Sequence, residues 1–198
     1  MKLLAFSDLH RDLAQAEELV AMSERADVVI AAGDFASVHE GLDETIGALS
    51  AIAKPTILVP GNNETADALR EACQGWTLAN VLHGDFAAID GVEFFGLGGG
   101  IPTTPWDWSF DLDEEQAAGR LASCPDGAVL VVHSPPQGHC DVAGNGQHLG
   151  SYAIADAIER TRPKLAVCGH IHESWGVRSE IGDSEVVNLG PAGVFFDV

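Results

Sequence analysis

Short apolar runs that stop abruptly at polar residues recur five times along the chain. Lys2–Phe6 precedes Ser7-Asp8-Leu9-His10, Val28–Ala32 precedes Gly33-Asp34, and Thr56–Val59 precedes Pro60-Gly61-Asn62-Asn63-Glu64. Ala128–Val132 leads into His133-Ser134-Pro135-Pro136, and Lys164–Cys168 into Gly169-His170-Ile171-His172. Continuous Val, Ile and Leu runs of this length predict strands buried on both faces. Helical spacing of apolar positions predicts helices between several of them, at 12–25, 40–53, 64–72, 112–122 and 150–160. Residues 80–100, and the chain after 174, change to short strands and turns, the pattern of a meander or of a second sheet. Strands alternating with helices predict an α/β fold with right-handed crossovers, in which ligands bind at the carboxyl ends of the strands. No repeat, low-complexity tract or linker divides the 198 residues, so a single domain over 1–198 is expected.

Composition narrows the function classes. A hydrophobic share of 46% over this length supplies a substantial core. Ten Lys+Arg against thirty Asp+Glu leave a net charge of −20, which repels nucleic-acid phosphate and anionic lipid. Duplex nucleic acid and membranes are therefore not expected partners. A small anionic substrate stays open, because bound metals reverse the field inside a cleft. The first apolar run meets Asp8 too early for a signal-peptide core, and no run is long enough to span a bilayer. Cys73, Cys124, Cys140 and Cys168 form no CxxC pair and are expected as reduced, mostly buried thiols in the cytoplasm.

The candidate chemistry lies at the predicted strand ends: Asp8, His10, Asp34, Asn62, His133, His170 and His172. Oxygen and imidazole donors of this kind suit divalent manganese, iron, cobalt, nickel or zinc. Seven donors are too many for one tetrahedral site but suit two ions sharing a carboxylate. Two ions about 3.5–4 Å apart clamp the attacking and leaving oxygens of an in-line displacement at phosphorus. Two divalent ions, two aspartates and one hydroxide leave a net positive centre, which attracts the phosphate that the rest of the surface repels.

Asp-x-His, Gly-Asp, Gly-Asn, His and Gly-His-x-His, in this order from Asp8 to His172, resemble the calcineurin-like metallophosphoesterases. The resemblance implies a four-layer αββα sandwich of two mixed β-sheets flanked by helices. It implies two divalent ions, manganese preferred, with iron, nickel, zinc or cobalt as alternatives. Asp8, His10, Asp34 and His172 would hold the first, and Asp34 would bridge to a second held by Asn62, His133 and His170. The implied activity is hydrolysis of a small phosphodiester or phosphomonoester by a metal-bridging hydroxide, with His133, His170 and Asn63 in catalytic roles and Asn63 contacting a phosphate oxygen. One departure stands out. Many members carry a His after Gly-Asn, whereas this chain has Asn63, which donates a hydrogen bond but supplies no proton.

Simpler readings exist for single residues. Asp8 and Asp34 could be helix N-caps, and Asn62 a left-handed turn residue beside Gly61. Gly96-Leu97-Gly98-Gly99-Gly100 reads as a flexible turn after a strand, since it lacks a dinucleotide or P-loop signature. Pro102 to Phe110 holds three aromatics in a loop that packs on the body, or alternatively stacks on a nucleobase. His39, His139 and His148 fall in or near loops after metal-bearing strands; His83 is less suggestive. Two other functions compete with the enzyme: a non-catalytic interaction scaffold on the same fold, and a nuclease, which would want a basic groove. An amidohydrolase barrel also uses His-x-His, but 198 residues is short for it.

Overall fold

The computed structural model describes residues 1–198 and contains two sheets. In the first, β1 (Lys2–Phe6), β2 (Val28–Ala31), β3 (Thr56–Leu58) and β4 (Ala79–Val81) run parallel in that order. Helices α1 (Leu13–Ser23), α2 (Leu42–Leu49) and α3 (Ala66–Ala72) fall between them in the chain. The second sheet opens with the antiparallel pair β5 (Asp85–Ile89) and β6 (Val92–Leu97). It continues in parallel through β7 (Val129–Val132), β8 (Leu165–Cys168) and β10 (Ser184–Asn188). Strand β9 (Arg178–Ile181) closes its far edge, and β11 (Val194–Asp197) returns to pair antiparallel with β1. Helices α4 (Glu114–Leu121) and α5 (Tyr152–Thr161) precede β7 and β8.

Side-chain alternation along the strands sorts the core into three layers, because successive residues point to opposite faces. Leu4, Phe6, Val29 and Ala31 face Leu19, Ile46, Leu49 and Leu69 of the first three helices. Phe95, Leu130 and Val132 face Ala117, Leu121, Ile154 and Ile158 of α4 and α5. The residues between them in register, Leu3, Ala5, Val28 and Ile30, meet Phe94, Val129, Val131 and Val167 across the two sheets. Each fully buried Leu, Ile or Phe contributes about 1.5–3 kcal/mol. The result is the αββα sandwich of two mixed sheets expected from the motif order. All five predicted helices and all five strand runs are present.

The strand-to-helix turns place the chemistry. Helix α1 starts at Asp12, whose carboxylate accepts from Gln15 N, and α2 starts at Gly41. Asp8 and Asp34 are therefore not N-caps; they sit several residues before the helices, in left-handed backbone with φ of 57° and 58°. The glycine run matches expectation in part, since Gly98, Gly99 and Gly100 lie beyond the end of β6. Gly96 and Leu97 belong to β6, and a Cβ on Gly96 would meet Leu82 and Val59 Cγ1, so this glycine permits close packing rather than flexibility. No helix is long and apolar enough to cross a membrane.

Candidate metal centre

Parallel strands expose their carboxyl ends along one edge, and here the edges of both sheets meet. Asp8 follows β1, Asp34 follows β2 and Asn62 follows β3, while His133 and His170 follow β7 and β8 of the other sheet. His172 opens a single 3₁₀ turn, His172–Ser174. All seven predicted residues are brought together. His10 Nε2 lies 3.1 Å from His172 Nε2 and 3.6 Å from Asp34 Oδ2, and His172 Nε2 lies 3.8 Å from Asp8 Oδ1. On the other side, His133 Nε2 is 3.5 Å from Asp34 Oδ2, and Asn62 Oδ1 is 3.1 Å from His170 Nδ1 and 3.4 Å from His133 Nε2.

Two groups of three donors, Asp8–His10–His172 and Asp34–His133–His170, each have the spread to hold an ion. The donor chemistry fits divalent cations. His133 donates Nδ1–H to Ala32 O at 2.8 Å, which turns its Nε2 toward Asp34 and Asn62. His10 Nδ1 faces Ala36 O at 3.3 Å in the same manner. A backbone carbonyl fixing one ring nitrogen so that the other can ligate is the usual support of a metal-binding imidazole. Asn62 is not in left-handed backbone, so the turn reading does not account for it. Four of the ten non-glycine residues with positive φ are members of the set (Asp8, His10, Asp34 and His170), a concentration of backbone strain typical of functional sites.

Charge coupling runs through the cluster. Burial works against an ionised Asp34, but the neighbouring His133 outweighs it and holds the carboxyl low. Burial likewise disfavours a charged His133, yet Asp34 and then Asp8 raise the imidazole to about 9. His170 is pushed down to about 4, first by burial and then by His133. Burial also lowers His172 and raises Asp8. Imidazole ligates only when neutral, so a cation at His133 competes with a proton there.

Several supporting residues escape a sequence reading. Glu64, 1% exposed, accepts four backbone N–H bonds: Asp34 and Gly61 on Oε1, Phe35 and Ala36 on Oε2. Burial, then the Asp34 charge, pushes its carboxyl up to about 7 against the pull of those donors. Asp8 Oδ2 accepts from Ser7 Oγ and from Trp175 Nε1 at 3.2 Å, and Trp175 packs 4.4 Å from the His172 ring. Asn188 braces the turn below His170 through Gly169 O and Ile171 O. Asn62 Nδ2 donates to Ser109 Oγ, which donates to Asp111, an arrangement that aims Asn62 Oδ1 at the two histidines.

Asn63 lines the cavity and is held beside Asp34. Its Nδ2 donates one N–H to Asp34 Oδ2 at 2.8 Å, and its Oδ1 accepts from Val38 N at 2.8 Å, which leaves the second N–H of the amide for a ligand. None of the other histidines lines the cavity over the centre. His39 contacts Trp108 O, His139 contacts Ser179, and His148 pairs with Asp141. His83 accepts from Gly98 N, and burial pushes it down to about 4.

Gly61 yields a first prediction. A Cβ there would fall on Asp34 Oδ1 and on the Asp34 backbone nitrogen, which cannot move without displacing the carboxylate. Gly61→Ala should therefore cost about 2–4 kcal/mol of stability and weaken metal uptake. Denaturant unfolding and a metal titration of the variant measure both.

Comparison with known proteins agrees with this geometry. A family model described as calcineurin-like phosphoesterase matches residues 1–174. A UPF0046 protein of Caenorhabditis elegans is 29% identical over 202 residues, covering 82% of this chain and 50% of its own length. The human metallophosphoesterase domain-containing protein 1 is 36% identical over 95 residues, 45% of this chain and 29% of its own. The chain thus spans half or less of these two relatives. Among solved structures, TT1561 of Thermus thermophilus superposes with a TM-score of 0.77 at 20% identity, covering 96% of this chain and 90% of its own. A dimetal phosphatase from Danio rerio does so with 0.66 at 13%, covering 97% and 88%. At such identities the structures share the fold.

Proposed function

Because the chain belongs to the calcineurin-like phosphoesterase family, we propose that it hydrolyses small phosphate esters with two divalent ions, manganese preferred, held by the seven convergent residues. The observation that carries this reading is the convergence of donors from five strand ends, with neighbouring ligand atoms 3.1–3.8 Å apart, beneath a cavity of about 520 Å³ that His10, Asp34, Asn62, His170 and His172 line. Bound ions of this kind supply Lewis acidity and an ionised water near neutral pH. Asp34 spans both donor groups, reaching His10 on one side and His133 on the other. Asn62, fixed by Ser109, presents a neutral oxygen, which keeps the centre positive enough to attract phosphate.

The leaving group is served differently from members with a His after Gly-Asn. Asn63 cannot act as a general acid, and one N–H of its amide holds Asp34 while the other can donate to a phosphate oxygen. Esters of acidic alcohols, whose oxygen departs without protonation, are the substrates this site handles best. Aryl phosphates should therefore be cleaved faster than alkyl ones, in both diester and monoester form. The lining carries no Lys or Arg, which supports a small singly charged ester, and hence a phosphodiester, over duplex nucleic acid. All four cysteines are buried free thiols, which supports a reducing, cytoplasmic setting.

Bis- and mono-p-nitrophenyl phosphates and cyclic nucleotides, assayed with Mn, Ni and Zn after chelation, test the reading. Chelated protein should be inactive and regain activity with manganese. Protein that binds metal yet cleaves no ester with any of the three would point instead to the interaction scaffold. A mobility shift of DNA at low salt would favour the nuclease.

A further inference from the structure

Resting on that phosphoester reading, we propose that the loop 102–110 forms a stacking subsite for a planar aromatic group on the ester oxygen that stays bound to phosphorus, with Trp106 as the specificity-determining residue. The cavity has two unlike parts. Its floor is the polar cluster of His10, Asp34, Asn62, His170 and His172, and its wall is apolar: Pro102, Pro105, Trp106, Trp108 and Leu149. Trp106 is 50% exposed, so folding leaves half of a large indole uncovered at the mouth of a polar site. It stacks on Trp108 with ring centres 5.5 Å apart and planes inclined by 11°, which covers one face and leaves the other for a ligand.

The platform is held rigidly. Thr104 donates from N and Oγ1 to Asp111 Oδ2 at 2.7 and 2.8 Å, and Ser109 Oγ donates to Asp111 Oδ1 at 2.6 Å. Phe110 N bonds Asn62 O at 2.9 Å, and His39 Nε2 donates to Trp108 O at 2.7 Å. The loop backbone is thus tied to Asn62 of the polar cluster, and the Trp106 ring rests on Trp108. No Lys or Arg lines the cavity, and Glu173 stands at its edge, so the wall offers nothing to a polyphosphate tail. A volume of about 520 Å³ accommodates a nucleoside or an aryl ring beside the phosphate.

Three diesters sharing a p-nitrophenyl leaving group separate the possibilities: the methyl, phenyl and thymidine 5′ esters. Wild-type protein should bind the two ring-bearing esters more tightly than the methyl one. Trp106→Ala should raise KM for them about tenfold more than for the methyl ester, and Trp106→Phe should restore most of the difference. A gain for both rings supports a general aromatic subsite; a gain for thymidine alone supports a nucleobase subsite. An equal effect of Trp106→Ala on all three esters overturns the proposal. Quenching of tryptophan fluorescence by thymidine 5′-monophosphate gives a readout without turnover: its loss in Trp106→Ala supports the subsite even if no ester is cleaved, while undiminished quenching refutes it.

Discussion

Asp34→Asn should fold and yet lose at least about a thousandfold in metal-dependent hydrolysis of an aryl phosphodiester, equivalent to about 4 kcal/mol of barrier. Asp34 is the carboxylate that reaches both donor groups, with Oδ2 3.6 Å from His10 Nε2 and 3.5 Å from His133 Nε2. Asparagine keeps the shape and can still accept from Asn63, but it removes the negative charge between two expected cations. It also turns one donor toward Asn63, either at N or at Nδ2, where the carboxylate accepts twice. That conflict costs about 1–3 kcal/mol, small enough for the chain to stay folded. Circular dichroism, metal content and kcat/KM of the variant separate the two effects. Full activity in a folded variant would contradict the bridging role.

Glu64→Gln should destabilise the protein by about 2–4 kcal/mol, although the two side chains are nearly the same shape. Each carboxylate oxygen of Glu64 accepts two backbone N–H groups, drawn from the turn after β2 and from Gly61. An amide presents its NH₂ to one of those pairs, so two buried donors lose their acceptor whichever way it is flipped. Because Asp34 N is one of the four, metal affinity should fall about tenfold or more as well. Denaturant midpoints and metal titration check both numbers. A variant as stable as the parent would show that the clamp contributes nothing.

Much of the centre is legible from the sequence because both of its signals are local. Buried parallel strands give unbroken apolar runs, and ligands at their ends sit immediately beside those runs, as in Phe6-Ser7-Asp8 or Cys168-Gly169-His170. Edge strands such as β5, β9 and β11 are partly exposed and so lack an unbroken apolar run, and read only as a change to short strands and turns. The supporting residues are legible least of all. Trp175 reaches Asp8 across 167 positions, and Ser109 reaches Asn62 across 47, contacts without periodicity or motif. Glu64 stood in the open within Gly61-Asn62-Asn63-Glu64, but four backbone donors closing on one carboxylate are a product of tertiary structure. Asn63 shows the same limit, since its residue type excluded proton donation while its partner, Asp34, could be found only in three dimensions.

Seven side chains from separate strand ends are positioned to hold two cations jointly. Anomalous diffraction at the manganese edge, from crystals of the manganese-loaded protein with metal content measured by elemental analysis, tests this most directly. Two peaks per chain are predicted, one beside Asp8, His10 and His172, the other beside Asn62, His133 and His170, with Asp34 between. A single peak elsewhere, or none in protein that hydrolyses esters, would contradict the account.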